Sequence, residues 1–458
     1  MTLVAFLILF TAVLIGYLLN LRAARALRDG GARMHSLDGF HGGYAALMVL
    51  VPTFGLIIFW LLFQGSAIEF LVKRSLPADQ LEGKGVGEVQ LIMAEIRSIA
   101  GGRVFGTPDQ WKLDAADLLV TLRASSAWLM VAATAALAAF MLYVARSRVA
   151  ADFRARQGLE SIVHRLMVSC AVVAIFVTIG IVASLSFETF RFFQMVPFWD
   201  FVLGTSWEPQ IPIREEQIAA AGAFGMLPVF LGTLVIATVA MLIATPIGLL
   251  SAIYLHEFAN TRVRAVVKPV LEILAGVPTV VYGFFAILVI APALRSFGAD
   301  FGIPIASNTA LAAGGVMGIM LIPFISSFAD DALGAVPRSL RDGSLAVGAT
   351  SAETVAKVLF PAAIPGIVGG ILLAVSRAIG ETMIVVMAAG LIAKMTINPL
   401  DSVTTVTVQI VTLLIGDTAF DNPKTLSAFA LGMVLFLITL MINVAALRIV
   451  RKYREIYD

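Results

Sequence analysis

Apolar residues along this chain come in blocks of about 20, long enough at roughly 1.5 Å per residue to cross a bilayer as helices. Nine such blocks stand out, at 2–21, 43–64, 126–145, 166–187, 226–250, 270–293, 307–329, 363–390 and 426–448. They predict an all-α polytopic membrane protein of about nine transmembrane helices. The connections alternate in character. Arg22, Arg25, Arg28 and Arg33 follow the first block, and Arg146, Arg148, Arg154, Arg156 and Arg165 follow the third. Arg262, Arg264 and Lys268 follow the fifth, Arg338, Arg341 and Lys357 the seventh, and Arg448, Arg451, Lys452 and Arg454 the last. The intervening connections carry acids that match or outnumber their bases, as in Glu188, Asp200, Glu208, Glu215 and Glu216 against Arg191 and Arg214. By the positive-inside rule the basic side is cytoplasmic, which puts the N-terminus outside and the C-terminus inside. No positive region precedes the first block, so it is expected to stay in the membrane rather than leave as a signal peptide.

Two polar stretches divide the pattern. The stretch 65–125 holds charges and short amphipathic pieces such as Val89–Ile99, and is expected to be a solvated external cap or loop. The basic stretch 146–165 is expected to be a cytoplasmic linker between a three-helix extension, 1–145, and a six-helix domain, 166–458. No internal repeat or low-complexity tract accompanies them.

Composition removes several classes of function. With 59% hydrophobic and 14% charged residues, the chain lies far from a soluble domain, which carries about 25% charged residues. A net charge of +2 is too small to imply a nucleic-acid partner. The single cysteine, Cys170, excludes an internal disulfide and a cysteine metal cage, and its apolar neighbours predict a small buried hydrophobe. His35 and His41 fall in the first basic connection, His164 and His256 at cytoplasmic edges, all expected to be solvated or interfacial. No His or acidic cluster lies within a block, which disfavours a membrane enzyme and any metal site.

The eighth block is different. It carries Arg377 and Glu381 near its midpoint, four residues apart and so on one face of a continuous helix. One charge at the centre of a membrane helix costs roughly 2.5–3.5 kcal/mol on insertion scales, so these groups should face a partner or a water-filled path. Arginine's planar fork of donors suits the oxygens of an oxyanion. A neighbouring glutamate would balance it while the path is empty and keep the anion from binding too tightly to leave. The other reading is a structural ion pair. Gly314 with Gly318, and Gly366 with Gly370, have the spacing of close helix packing. Gly276-Val277-Pro278 is expected to kink or unwind the sixth block locally.

The cytoplasmic stretch Ser339-Leu-Arg-Asp342-Gly-Ser-Leu-Ala-Val-Gly348, running on through Glu353 to Pro361, resembles the conserved cytoplasmic loop of ABC importer permeases. In that pattern Glu-Ala-Ala is followed after three residues by Gly, and after nine more by Ile-x-Leu-Pro. Gly348 and Pro361 fall at that separation, whereas Asp342-Gly343-Ser344 replaces Glu-Ala-Ala. The resemblance implies two short helices, turned at the glycine, that dock on an ATPase, with Asp342, Gly348, Glu353 and Pro361 as coupling residues. Arg377-Ala-Ile-Gly-Glu381-Thr-Met, Gly204-Thr-Ser-Trp-Glu-Pro209, Phe224–Thr233 and Glu272–Gly283 together resemble the permeases of the high-affinity phosphate (Pst) ABC importers, the C type of the two. The match covers about residues 166–458; the first 145 residues exceed the six-helix pattern.

That resemblance implies a non-enzymatic transport subunit in the inner membrane, with Arg377 and Glu381 in phosphate translocation. The chain has no Gly-x-x-x-x-Gly-Lys-Ser/Thr run, since Gly83-Lys84 fails the spacing. It therefore binds no cofactor of its own, and ATP and Mg would be used by a partner. Implied partners are a second, PstA-like permease, a homodimeric PstB-like ATPase, an external PstS-like phosphate-binding protein and the lipid bilayer. Two alternatives stand beside this: a permease for another oxyanion such as sulfate, molybdate or phosphonate, and a membrane scaffold in phosphate sensing acting through residues 1–145.

Overall fold

A computed structural model of the chain describes residues 1–77, 86–103, 106, 108–209, 222–415 and 422–454. Arg214, Glu215, Glu216 and Gly83-Lys84 lie outside the described residues. Among the described residues nine helical stretches are long and apolar enough to cross a membrane, matching the nine expected blocks. The chain divides into two units, Met1–Val177 and Thr178–Asp458.

In the first unit, α1 (Thr2–Asp29), α2 (Asp38–Ser75) and α4 (Gln110–Ser147) pack against one another, with the short α3 (Val86–Ala100) against α4. Ala5, Leu9, Ile57 and Met130 form one buried layer, and Ala12, Val49 and Ala138 the next. Small residues in facing positions bring the helices close, as where Gly16 meets Leu142. The stretch 65–125 is not an irregular loop. At 38 residues each, α2 and α4 reach about 57 Å, nearly twice the ~30 Å hydrocarbon core. Their excess length makes a helical cap with a core of its own, in which Ile68, Val72 and Leu76 pack on Ile92, Met93, Ile96, Ala115, Ala116 and Leu119. Lys112 with Glu95 at 3.0 Å and Arg97 with Glu69 at 3.3 Å tie its rim.

Two expectations for single residues are overturned here. His41 is not solvated: it is 1% exposed, its ring nitrogens have no hydrogen-bond partner among the described residues, and its ring centroid lies 5.8 Å from that of Phe153. Cys170 is not buried but lies on an exposed stretch of α5 (Ala155–Met195). That helix is continuous from Ala155, so the end of the basic stretch 146–165 is helical, and the division between units falls within it.

In the second unit, α6 (Phe198–Leu203) and an antiparallel pair, β1 (Trp207–Glu208) and β2 (Ala223–Phe224), precede α7 (Leu227–Ile253). The amphipathic α8 (Thr261–Ala275) ends at Gly276, and the chain restarts as α9 (Thr279–Phe285), continuing through a π turn into α10 (Ala291–Asp300). Gly276-Val277-Pro278 thus breaks the sixth block as expected, and the Tyr282 hydroxyl spans the break by donating to the Leu274 carbonyl at 2.8 Å. Then come α11 (Ala310–Gly334), α12 (Arg338–Ala346), α13 (Ser351–Thr354), α14 (Phe360–Ile379), α15 (Met383–Ala388), α16 (Val406–Leu414) and α17 (Pro423–Arg454).

The core runs along α7, α11 and α14, and glycines set its spacing. A Cβ on Gly318 would lie 3.0 Å from the Ala240 carbonyl oxygen, and one on Gly314 2.8 Å from Val239. A Cβ on Gly366 would lie 2.8 Å from Ala332, and one on Gly370 2.6 Å from Phe328. Small-residue packing of this kind gives membrane helices their van der Waals contact where no hydrophobic drive exists. Wide π turns at Ala286–Ile290 and Val355–Leu359 end two residues before Pro292 and Pro361. A proline cannot donate to the carbonyl four residues back and its ring crowds it, which a widened turn relieves.

Candidate functional site

The eighth block is not one helix. α14 stops at Ile379, Gly380 through Thr382 are non-helical, and a new short helix begins at Met383. Arg377 and Glu381 are therefore not neighbours on one helix face, and among the described residues no ion pair joins them. Glycine weakens a helix by about 1 kcal/mol relative to alanine, too little to end it alone. One tertiary and one local hydrogen bond complete the break: the Thr407 hydroxyl donates to the Glu381 carbonyl at 2.8 Å, and the Glu381 carboxylate accepts the Met383 N–H at 3.1 Å.

This arrangement gives each charge a compatible environment without the other. Arg377 lies in the last turn of α14, where free carbonyls favour a cation, and Glu381 accepts from the first turn of α15, where free N–H groups favour an anion. The depth of Arg377 follows from the glycine contacts. With Gly366 against Ala332 and Gly370 against Phe328, the antiparallel register puts Arg377 beside about residue 321, near the middle of α11. Its neighbours Ala378 and Ile379 share a core cluster with Met317, Met320 and Leu321. Arg377 itself points out of that core: it is exposed and, among the described residues, has no hydrogen-bond or ion-pair partner. An unpaired guanidinium at mid-depth, on a helix otherwise packed by apolar residues, is a ready donor for an anion.

Behind it the chain folds back. Gly390, at φ +107°, turns the backbone; the return segment is held to the N-terminal end of α11 by Leu311 N–H to the Pro399 carbonyl at 2.7 Å, and the end of α15 by Thr309 N–H to the Ala388 carbonyl at 3.0 Å. Buried hydroxyls close the network. Thr233 accepts the Val406 N–H at 3.1 Å, and Gln409 donates to the Leu391 carbonyl at 3.2 Å while accepting from the Trp207 indole at 2.9 Å.

The stretch 338–361 forms two short helices turned at a glycine. α12 ends at Ala346, Gly348 sits at φ +91°, and Thr350 starts the next helix. Thr350 and Glu353 make a reciprocal capping box, with Glu353 N–H to the Thr350 hydroxyl at 3.3 Å and Thr350 N–H to the Glu353 carboxylate at 3.1 Å. Pro361 lies at the start of α14, directly after the π turn that accommodates its ring. Asp342 is exposed on α12 and, among the described residues, unpaired. So Gly348, Glu353 and Pro361 have clear backbone roles, and Asp342 is a free surface charge.

Sequence reasoning missed a cluster at the end of α11. Asp330, 7% exposed, accepts from His256 at 2.7 Å, Arg264 at 3.1 Å and Lys268 at 2.7 Å. His256 is thus half-buried and tied to Asp330, in keeping with the interfacial placement expected of it. The signal available was an acid, Asp330, at the end of an apolar block whose neighbouring connections are basic.

The chain matches the family model described as "Phosphate ATP-binding cassette transporter" over residues 6–177 and that described as "Binding-protein-dependent transport system inner membrane component" over residues 244–455. The first match ends where the first structural unit ends. A probable ABC transporter permease protein of Bacillus subtilis, YqgH, is 31% identical over 63% of this chain and 90% of its own length. Phosphate transport system permease protein PstC 1 of Mycobacterium bovis is 32% identical over 55% of this chain and 81% of its own. PstC of Mesorhizobium japonicum is 29% identical over 62% and 87%. On these likenesses the chain belongs to the family of phosphate transport system permease proteins of ABC importers.

Proposed function

We propose that this chain is the permease subunit of an ATP-driven importer of inorganic phosphate, forming half of the translocation path. The observation that carries the reading is Arg377: a charged, unpartnered fork at mid-depth, beside a helix break. It stays protonated at any physiological pH and lowers the barrier for an oxyanion by replacing part of its hydration shell with fixed donors. Glu381, tied down by Thr407 and Met383, sets a negative charge close behind it and keeps the anion's residence short.

The second permease supplies the other wall of the path, against the exposed side of Arg377. An external phosphate-binding protein delivers substrate, and a pair of identical ATPase subunits takes the coupling stretch on the opposite side. ATP and Mg are used on those subunits. The N-terminus lies outside and the C-terminus in the cytoplasm of a bacterial inner membrane, in line with the basic connections. The test is ATP-dependent uptake of radiolabelled phosphate by proteoliposomes holding all four components. Uptake that unlabelled phosphate suppresses and sulfate, molybdate and phosphonate leave unchanged supports the reading. Preferential suppression by any of those three replaces phosphate as substrate.

A further inference from the structure

We propose that the ion cluster around Asp330 is the joint that fixes the coupling helix α12 to the transmembrane core, with Arg341 and Glu257 as its positioning pair. The proposal rests on the coupling reading above. It starts from a deficit. No residue of α12 is buried, so apolar packing does not hold this helix in place. Among the described residues its polar ties to the rest of the chain are two: the Ser344 hydroxyl to that of Thr354 at 3.0 Å, and Arg341 to Glu257 at 3.0 Å. The first joins α12 to the start of the next helix; only the second reaches α7.

The Glu257 side chain is 4% exposed, so this ion pair is anchored on a buried partner. Glu257 and His256 lie on a π turn, Tyr254–Phe258, that extends α7. The wide turn sends the adjacent side chains toward one cluster, in which His256 lies 3.6 Å from the Glu257 carboxylate and donates to the Asp330 carboxylate at 2.7 Å. Asp330 on α11 then gathers Arg264 and Lys268 of α8. Arg341, Glu257, His256, Asp330, Arg264 and Lys268 thus form one continuous chain of polar contacts across α12, α7, α8 and α11. Buried charges are tolerated only when paired, so displacing α12 strips Glu257 of its cation unless the ends of α7, α8 and α11 move with it. A push on the exposed side of α12, where Arg338 and Asp342 face outward, is in this way transmitted to three helices at once.

The test uses the complete four-component complex in proteoliposomes and reads two quantities, retention of the ATPase and phosphate moved per ATP hydrolysed. In Arg341→Glu the ATPase is expected to stay bound while the ratio falls at least about tenfold, because a second carboxylate now faces the buried Glu257 carboxylate. The exchange Glu257→Arg with Arg341→Glu is expected to restore most of it. The Glu257 side chain is 4% exposed, so rescue identifies an internal joint and not a lost contact with the ATPase. Arg341→Gln, which places no new charge inside, is expected to lower the ratio in the same direction by a smaller factor. An unchanged ratio in both Arg341 variants, or an exchange no better than the single reversal, overturns the joint. Removal of 347–350 separates the two readings. If the ATPase stays bound without that turn, the coupling assignment fails; if it is lost while the Arg341 variants behave normally, only the joint fails.

Discussion

Gly348 offers the cleanest perturbation of the coupling stretch, because its conformation and its packing can be separated. Its φ of +91° lies in the region that residues with a Cβ avoid. A Cβ built there meets nothing within 4 Å. A substitution therefore adds backbone strain and no steric clash. That strain is about 1–2 kcal/mol for an ordinary L residue, less for asparagine, and greatest for a β-branched side chain. A penalty of this size lowers the equilibrium constant for holding the turn, against competing backbone states, by a factor of about 5–30. The angle between α12 and α13 is set by the turn, so the shortfall appears as a docking surface that is misaligned most of the time. The assay is ATPase retention on the purified permease pair for Gly348→Asn, Gly348→Ala and Gly348→Val. Retention should fall in that order, with asparagine close to the parent and valine weakest. Equal retention by valine and glycine would refute the reasoning, since it would mean that the turn is not needed for docking.

Other outcomes follow from the same structure. Gly370→Leu should lower the thermal midpoint of the detergent-purified chain, because even its Cβ would press on Phe328 at 2.6 Å, and overpacking costs about 1–3 kcal/mol; Gly343→Ala, with nothing within 4 Å of its Cβ, should leave the midpoint in place. Thr407→Val removes the donor to the Glu381 carbonyl, a net loss of about 1 kcal/mol, and should reduce phosphate uptake without lowering the amount of assembled complex. Asp401 is held below the usual carboxylate range by its hydrogen bond from Lys394, then by that from Thr396. A carboxyl depressed in the folded state stabilises above its unfolded pKa of about 3.9 and loses that contribution as pH falls through the folded value. The stability gap between the parent and Asp401→Asn, followed by thermal melts across pH, should be present at neutral pH and close below about pH 4.

Much of the architecture was legible in the order of residues, and what was not has a common physical origin. The spans were visible because a bilayer demands about 20 apolar residues in a row, whatever surrounds them. The glycine pairs were visible because close helix packing needs small residues one turn apart. The break at Gly380 was not, since one glycine within an apolar run is compatible with a continuous helix. It takes Thr407, 26 residues on, to claim the Glu381 carbonyl. The helical cap was legible only in part, through the amphipathic piece Val89–Ile99, for a related reason. Ile68, Val72, Ile92 and Ile96 form a helical stripe, but charges on the other faces, such as Glu69, Glu95 and Arg97, hold the average hydropathy down. Asp330 went unnoticed because its partners lie 62 to 74 residues away, on elements that the sequence does not place side by side. The motif around Gly348 was readable despite the loss of Glu-Ala-Ala, because a turn at positive φ and a capping box depend on a few local residues.

Uptake by Arg377 variants in assembled, ATP-hydrolysing complexes bears most directly on the account. Arg377→Ala removes a charge-assisted fork, in which each hydrogen bond contributes about 1.5–3 kcal/mol, and should depress phosphate uptake by at least about tenfold. Arg377→Lys keeps the charge but not the planar geometry and should fall between alanine and the parent. Parental rates of uptake in Arg377→Ala, with the ATPase bound and active, would contradict the claim that this guanidinium meets the anion on its way through the membrane.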